Sequence, residues 1–202
     1  GVIVDREKYE NVNVTIVKIV EENAEQLMGK PRGTYITIEA PALRDNNRDA
    51  QQEVAEVLAQ KLKSLFNLPE NANILLVGLG NWNATPDALG PRVINQSMVT
   101  RHLYKYAPEE LQGGMRSVSA IAPGVLGITG IETAEIIKGV VEKIVPELII
   151  VVDSLAAGSV DRIATTIQIA DTGISPGSGI GNKRAGINLE TMGVPVIAIG
   201  IP

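Results

Sequence analysis

Two aspartates are the residues best placed to do chemistry in this chain of 202 residues. Asp87 follows the apolar run Ile74-Leu-Leu-Val77 and lies nine residues beyond Gly78, while Asp153 closes the run Leu148-Ile-Ile-Val-Val152. Two carboxylates held close share a proton, so one is ionised and the other protonated near neutral pH. Such a pair suits the activation of water against an amide carbonyl. Each acid also has a structural explanation. Thr85 as N-cap, Pro86 at the first helical position and Asp87 in the first turn make a good helix start. Asp153 ends five apolar residues and faces solvent, a partner or a site, or caps the turn that follows. The spacing permits a dyad and does not demand one.

Other side chains are candidates for binding substrate. Asn81 and Asn83 offer amides that hold a carbonyl or orient Asp87, and Trp82 between them packs or lines a substrate site. Thr129-Gly-Ile-Glu132 begins a helix whose free N–H groups suit a carbonyl or an anion, although capping explains it equally. Gly177-Ser-Gly-Ile-Gly-Asn-Lys183-Arg184 reads evenly as a substrate-binding nest or a solvated loop, and it does not match the phosphate-binding P-loop. Gly78-Leu-Gly-Asn-Trp-Asn83 starts like a dinucleotide fingerprint but lacks the third Gly. His102 is the only histidine and falls within a helical stretch, which argues against a Ser-His-Asp triad or a His-based metal site. With no cysteine, thiolate catalysis, disulfides and Cys-bound metals are excluded. No metal or cofactor is expected.

The elements that position these residues follow from periodicity. Ile74–Val77 and Leu148–Val152 are apolar on both faces, as in parallel strands covered by helices. Arg116–Ile121, Thr165–Ala170 and Val194–Ile199 supply further strands; helices are expected over Arg48–Phe66, Pro86–Tyr104 and Ile131–Ile144. In the first of these helices the acids and bases are expected to point outward. Residues 12–20 and 35–38 alternate as a small N-terminal β element around a short helix near Asn23–Met28. The fold class is therefore α/β, a three-layer, mostly parallel sheet flanked by helices, in a single domain over residues 1–202. Such sheets bind ligands beyond the carboxyl ends of their strands, which is where both aspartates fall. The 45% hydrophobic and 20% charged composition fits a soluble globular chain, and the net charge of −5 argues against a nucleic-acid surface. No membrane segment is evident, and an intracellular location is expected. Both ends read as cut rather than finished.

Four long blocks, Gly78–Pro91, Ser119–Thr133, Val152–Ala157 and Asp171–Arg184, resemble the germination protease family of spore-forming Firmicutes, along nearly the whole chain. The resemblance implies an endopeptidase of atypical aspartic type that degrades small acid-soluble spore proteins during germination, made as a zymogen in the spore core (cytoplasmic) and assembled as a homotetramer. It implies a fold similar to hydrogenase maturation proteases, and it puts the proposed catalytic pair on Asp87 and Asp153. Family members extend further at both ends. Two alternatives stay open: a non-catalytic binding relative, and a metal-dependent amidase that uses the same two Asp as ligands.

Overall fold

The apolar runs that mark the candidate acids become neighbouring parallel strands in the computed structural model, which describes residues 1–111, 115–176 and 185–202. The chain forms two compact units. One comprises residues 1–67, 155–172 and 199–202, the other residues 68–154 and 173–198.

The first unit is antiparallel. Strands β1 (Val2–Lys8), β2 (Asn13–Ile19), β3 (Gly33–Glu39) and β7 (Thr166–Ala170) lie side by side in that order, with α1 (Glu22–Met28) between β2 and β3 in sequence. The N-terminal β element expected from alternation is thus present and is joined by β7. Helix α2 (Arg48–Ser64) starts where the Asn47 side chain accepts the N–H groups of Asp49 and Ala50, and it buries Ala50, Val54 and Val57. One basic residue departs from the expected outward pattern. Lys61 is buried on that same face, because Glu7 of β1 provides its ammonium with a carboxylate partner.

The second unit carries the parallel sheet. Strand β4 (Asn73–Gly78) pairs in parallel with β5 (Ser117–Ile121) on one side and β6 (Leu148–Ser154) on the other, and β8 (Val196–Ile201), whose first residues belong to this unit, lies beyond β6. Alternation divides β4 into two buried faces. Leu75, Val77 and Leu79 share one core with Ile149 and Val151 of β6 and with Ile137 and Val141, one turn apart on α6 (Thr133–Ile144). The opposite face receives α3 (Leu89–Gln96), and at Gly78 and Gly90 the two backbones come so close that a Cβ added at either would stand 2.2 Å from the other's neighbourhood of carbonyl oxygens. Helices on both faces of a parallel sheet make, in this unit, the three-layer arrangement expected of the chain.

The helix expected over residues 86–104 is instead two. After α3 the chain leaves the helical path and resumes at α4 (Arg101–Tyr106). Thr100 is the cause: its N–H donates to the Val118 carbonyl at 2.9 Å, its hydroxyl donates to the Arg116 carbonyl, and that hydroxyl accepts the Val118 N–H at 2.9 Å. These bonds to β5 replace helical ones. Among the described residues no helix is long and apolar enough to cross a membrane.

Candidate active site

The positions of both acids follow from the register of β4 and β6. Gly78 stands opposite Val152, and the Leu79 N–H continues the ladder to the Val152 carbonyl at 2.8 Å. The loop that leaves β4 therefore starts beside Asp153. Asp153 itself lies within β6 rather than just past it, and only 8% of it is exposed. The tight turn Thr85–Asp87 packs against β6, which brings the second acid to the same strand.

Asp87 is fixed by its own loop. The Asn81 N–H donates to the Asp87 backbone oxygen at 2.9 Å and to Oδ2 at 2.9 Å, and the Asp87 N–H donates to the Ala84 carbonyl at 2.8 Å. Gly80 makes this closure possible. Its φ is +115°, and a Cβ there would meet the Asp87 backbone oxygen at 2.0 Å and Oδ1 at 3.1 Å. Thr85 is not the helix cap its sequence position suggests. It is itself the first residue of a single 3-10 turn entered from Ala84, with no side-chain capping bond, and Pro86 is the second residue of that turn rather than the first. The Asn81 side chain closes a local turn, since its Oδ1 accepts the Asn83 N–H at 3.0 Å. Asn81 thus frames the loop through its backbone and side chain together, and Asn83 is exposed.

The electrostatics separate the two acids. Burial pushes the Asp153 carboxyl up to about 6 from 3.8; the Ser154 N–H pulls it down, and the negative charge of Asp87 adds to the rise. Near pH 6 about half of the Asp153 side chains hold a proton. An acid and a carboxylate within electrostatic reach can respectively give a proton to a carbonyl oxygen and take one from water.

The remaining candidates are distributed less tightly. Thr129 ends the short helix α5 (Leu126–Thr129), and its hydroxyl is committed to that loop, donating to the Val125 and Ile131 carbonyls and accepting the Ile131 N–H. Glu132 stands at the N-cap of α6 without a capping side-chain bond. Lys183 and Arg184 lie outside the described residues. His102 is exposed on α4. Among the described residues no group of three or more His, Asp or Glu side chains converges as metal ligands.

Sequence reasoning did not anticipate a cavity of about 330 Å³ between Gly80 and Trp82 of the β4 loop, Pro91, Ile94 and Asn95 of α3, and Ala122 after β5. Its traces in the sequence are Trp82, read there as packing or lining a substrate site, and the tendency of ligands to gather where the loops of a parallel sheet meet. Arg92 stands over the Trp82 ring, 5.6 Å from its centroid, and holds the indole at the mouth.

Comparison with known proteins gives a consistent set of relatives. The model of a family described as Germination protease matches residues 1–202. A protein named Germination protease from Caldanaerobacter subterraneus subsp. tengcongensis is 56% identical over all of this chain and 62% of its own length. Its namesakes from Priestia megaterium and Bacillus subtilis are 52% and 50% identical, again over the whole chain and over 55% of their own lengths. The chain thus spans less than two thirds of these relatives. Among solved structures, a NiFe hydrogenase maturation protease, HycI from Thermococcus kodakarensis KOD1, superposes with a TM-score of 0.38 and 20% identity, covering 64% of this chain and 73% of that one.

Proposed function

The chain belongs to the germination protease family, and on that premise we propose that Asp87 and Asp153 together hydrolyse peptide bonds in small acid-soluble spore proteins during germination. The observation that carries the reading is Asp153, an aspartate buried at the carboxyl end of a parallel strand and raised to about 6 in part by the charge of Asp87. A buried acid kept near its midpoint is the group a proton transfer at mild pH needs.

In the reaction, ionised Asp87 takes a proton from a water molecule as the water oxygen bonds to the scissile carbonyl carbon. Protonated Asp153 gives its proton to the carbonyl oxygen, so that a neutral gem-diol forms. On collapse, one diol hydroxyl returns a proton to Asp153 and the carbonyl reforms. The C–N bond breaks as Asp87 passes its proton to the amide nitrogen. Both side chains end in their starting states, and no metal takes part.

Synthesis as a zymogen, assembly as a homotetramer and action in the spore core extend to this chain from its family as parts of the same proposal. The test is cleavage of a small acid-soluble spore protein by the protein that carries this chain, with Asp87→Asn and Asp153→Asn variants alongside and folding checked by circular dichroism. Each variant is expected to stop cleavage while staying folded. Full activity in either, or activity abolished by thorough chelation and restored by a metal, would overturn the proton-sharing pair.

A further inference from the structure

Strand β6 carries Asp153, and its bonding continues one residue past its end, since the Leu155 N–H donates to the Ile201 carbonyl of β8 at 2.8 Å. Beyond that bond the chain is open: residues 156–161 are all exposed. The half-buried Leu155 side chain is seated on Gly200. A Cβ at 200 would stand 2.3 Å from Leu155 Cδ1, 2.6 Å from Cγ and 3.0 Å from Cδ2, so the isobutyl group lies where a side chain would begin. The backbone does not ask for glycine there, because its φ is not positive. Glycine weakens the interior of a strand and marks places where another group comes close. In β8 that group is Leu155.

We propose that Leu155, seated on Gly200, is a positioning residue for the peptidase: it fixes the strand end that carries Asp153 and keeps water from that carboxyl group, an inference that rests on the peptidase reading above. Residues two apart on a strand share a face, so Asp153 and Leu155 rise from the same side about 6.6 Å apart. Asp153 is 8% exposed although only Ser154 and Leu155 separate it from the open segment. The Ser154 N–H donates to the Asp153 carboxyl, so the peptide next to the Leu155 anchor also aims a hydrogen bond at the acid. The two influences oppose each other: burial raises Asp153 and the Ser154 N–H lowers it, burial being the larger. Among the described residues the one charge acting on Asp153 is that of Asp87. Leu155 carries none, so removing its isobutyl group alters hydration and leaves the charges as they are.

Leu155→Ala in the protein that carries this chain tests the assignment, with the Asp153 carboxyl titrated directly by carbon-13 NMR. Its midpoint, about 6 with leucine in place, is expected to fall by about one pH unit as water reaches the acid. Leu155→Met refills the seat and is expected to keep the midpoint. Cleavage follows: at pH 6 a midpoint near 5 leaves about a tenth of the acid protonated instead of half, so kcat is expected to fall about fivefold with KM within about twofold. Gly200→Ala pushes the isobutyl group off its seat and is expected to act in the same direction, and adding it to Leu155→Ala to change nothing more. A merely structural leucine would cost stability and leave the midpoint alone. A midpoint unmoved in Leu155→Ala, or one that falls equally in Leu155→Met, therefore overturns the role, and effects at 155 and 200 that simply add overturn the seat. Should Gly200→Ala not fold, the two variants at 155 decide alone. Cleavage that persists in Asp153→Asn instead sinks the carboxylate mechanism and leaves the NMR midpoint to judge Leu155 on its own.

Discussion

In the first unit Glu7 sits against buried Lys61, and Glu53 accepts the N–H groups of Glu10 and Asn11 together with the Asn11 amide, whereas in the second unit Asp153 is buried and feels the negative charge of another acid, Asp87. The titrations run in opposite directions. The Lys61 hydrogen bond holds Glu7 below its ordinary value; Glu53 is drawn upward by desolvation, but its three hydrogen bonds outweigh that and hold it low. Asp153 is pushed up, first by burial. A lowered carboxyl stabilises the fold above its unfolded value and loses that contribution as pH falls. A raised one costs nothing while protonated below 3.8 and costs progressively more as pH rises to about 6. The first unit spends its acids on holding strands and helix together. The second keeps an acid at a thermodynamic loss, as expected where a proton is to be exchanged rather than stored.

The sharpest way to break that contrast is to remove the exchangeable proton. Asp87→Asn and Asp153→Asn are each expected to lower kcat/KM by about a thousandfold, read by peptide cleavage, as befits loss of a general acid or base. In the unaltered protein the acid role of Asp153 predicts that cleavage declines as pH rises through about 6; a rate still climbing between pH 6 and 8 would exclude that role.

The stability of the same variant is expected to move the other way. Without a charge to bury, Asp153→Asn should be more stable than the natural protein by about 3 kcal/mol at pH 8 and no different below pH 4, by denaturant unfolding at both pH values. Equal stabilities at pH 8 would mean that the carboxylate is not paying for burial. Next in size is Gly80→Ala. With φ at +115° and a Cβ pressed 2.0 Å from the Asp87 carbonyl oxygen, about 2 kcal/mol of stability should go, and the Asp87 loop should lose alignment and with it most of the activity. The smallest effect belongs to the first unit. Glu7→Gln leaves Lys61 without its charge partner, and because the Glu7 side chain is 36% exposed, water screening limits the loss to about 1 kcal/mol, with cleavage chemistry unaffected.

Much of the second unit is legible in the sequence because a strand buried on both faces has to be apolar throughout, and Ile74–Val77 and Leu148–Val152 are. Strand β1 is less so. Val2, Ile3 and Val4 are all exposed and the other four residues of VIVDREK are all charged, so there is no period for the eye to catch; its pairing with β2 emerges only from the backbone register. The break before α4 is hidden for a similar reason, since Thr100 makes its decisive bonds to residues 16 and 18 places further on. The two aspartates are visible as types at strand ends, but their proximity depends on the parallel register of β4 with β6, which no local pattern encodes. Lys61 is the plainest misfit, a charge on a face that reads as apolar only until Glu7 is brought to it.

The close approach of β4 to α3 has a genetic consequence. Glycine is the one amino acid without a Cβ, so every missense codon at 78 or 90 inserts an atom where backbone lies at 2.2 Å, and at 80 where it lies at 2.0 Å. Codons 127 and 139 also encode glycine, and there an added Cβ would meet nothing within 4 Å. In a saturation library scored for the amount of folded protein, the first three codons should be deserts and the other two permissive, which would map the close backbone approaches from inheritance alone.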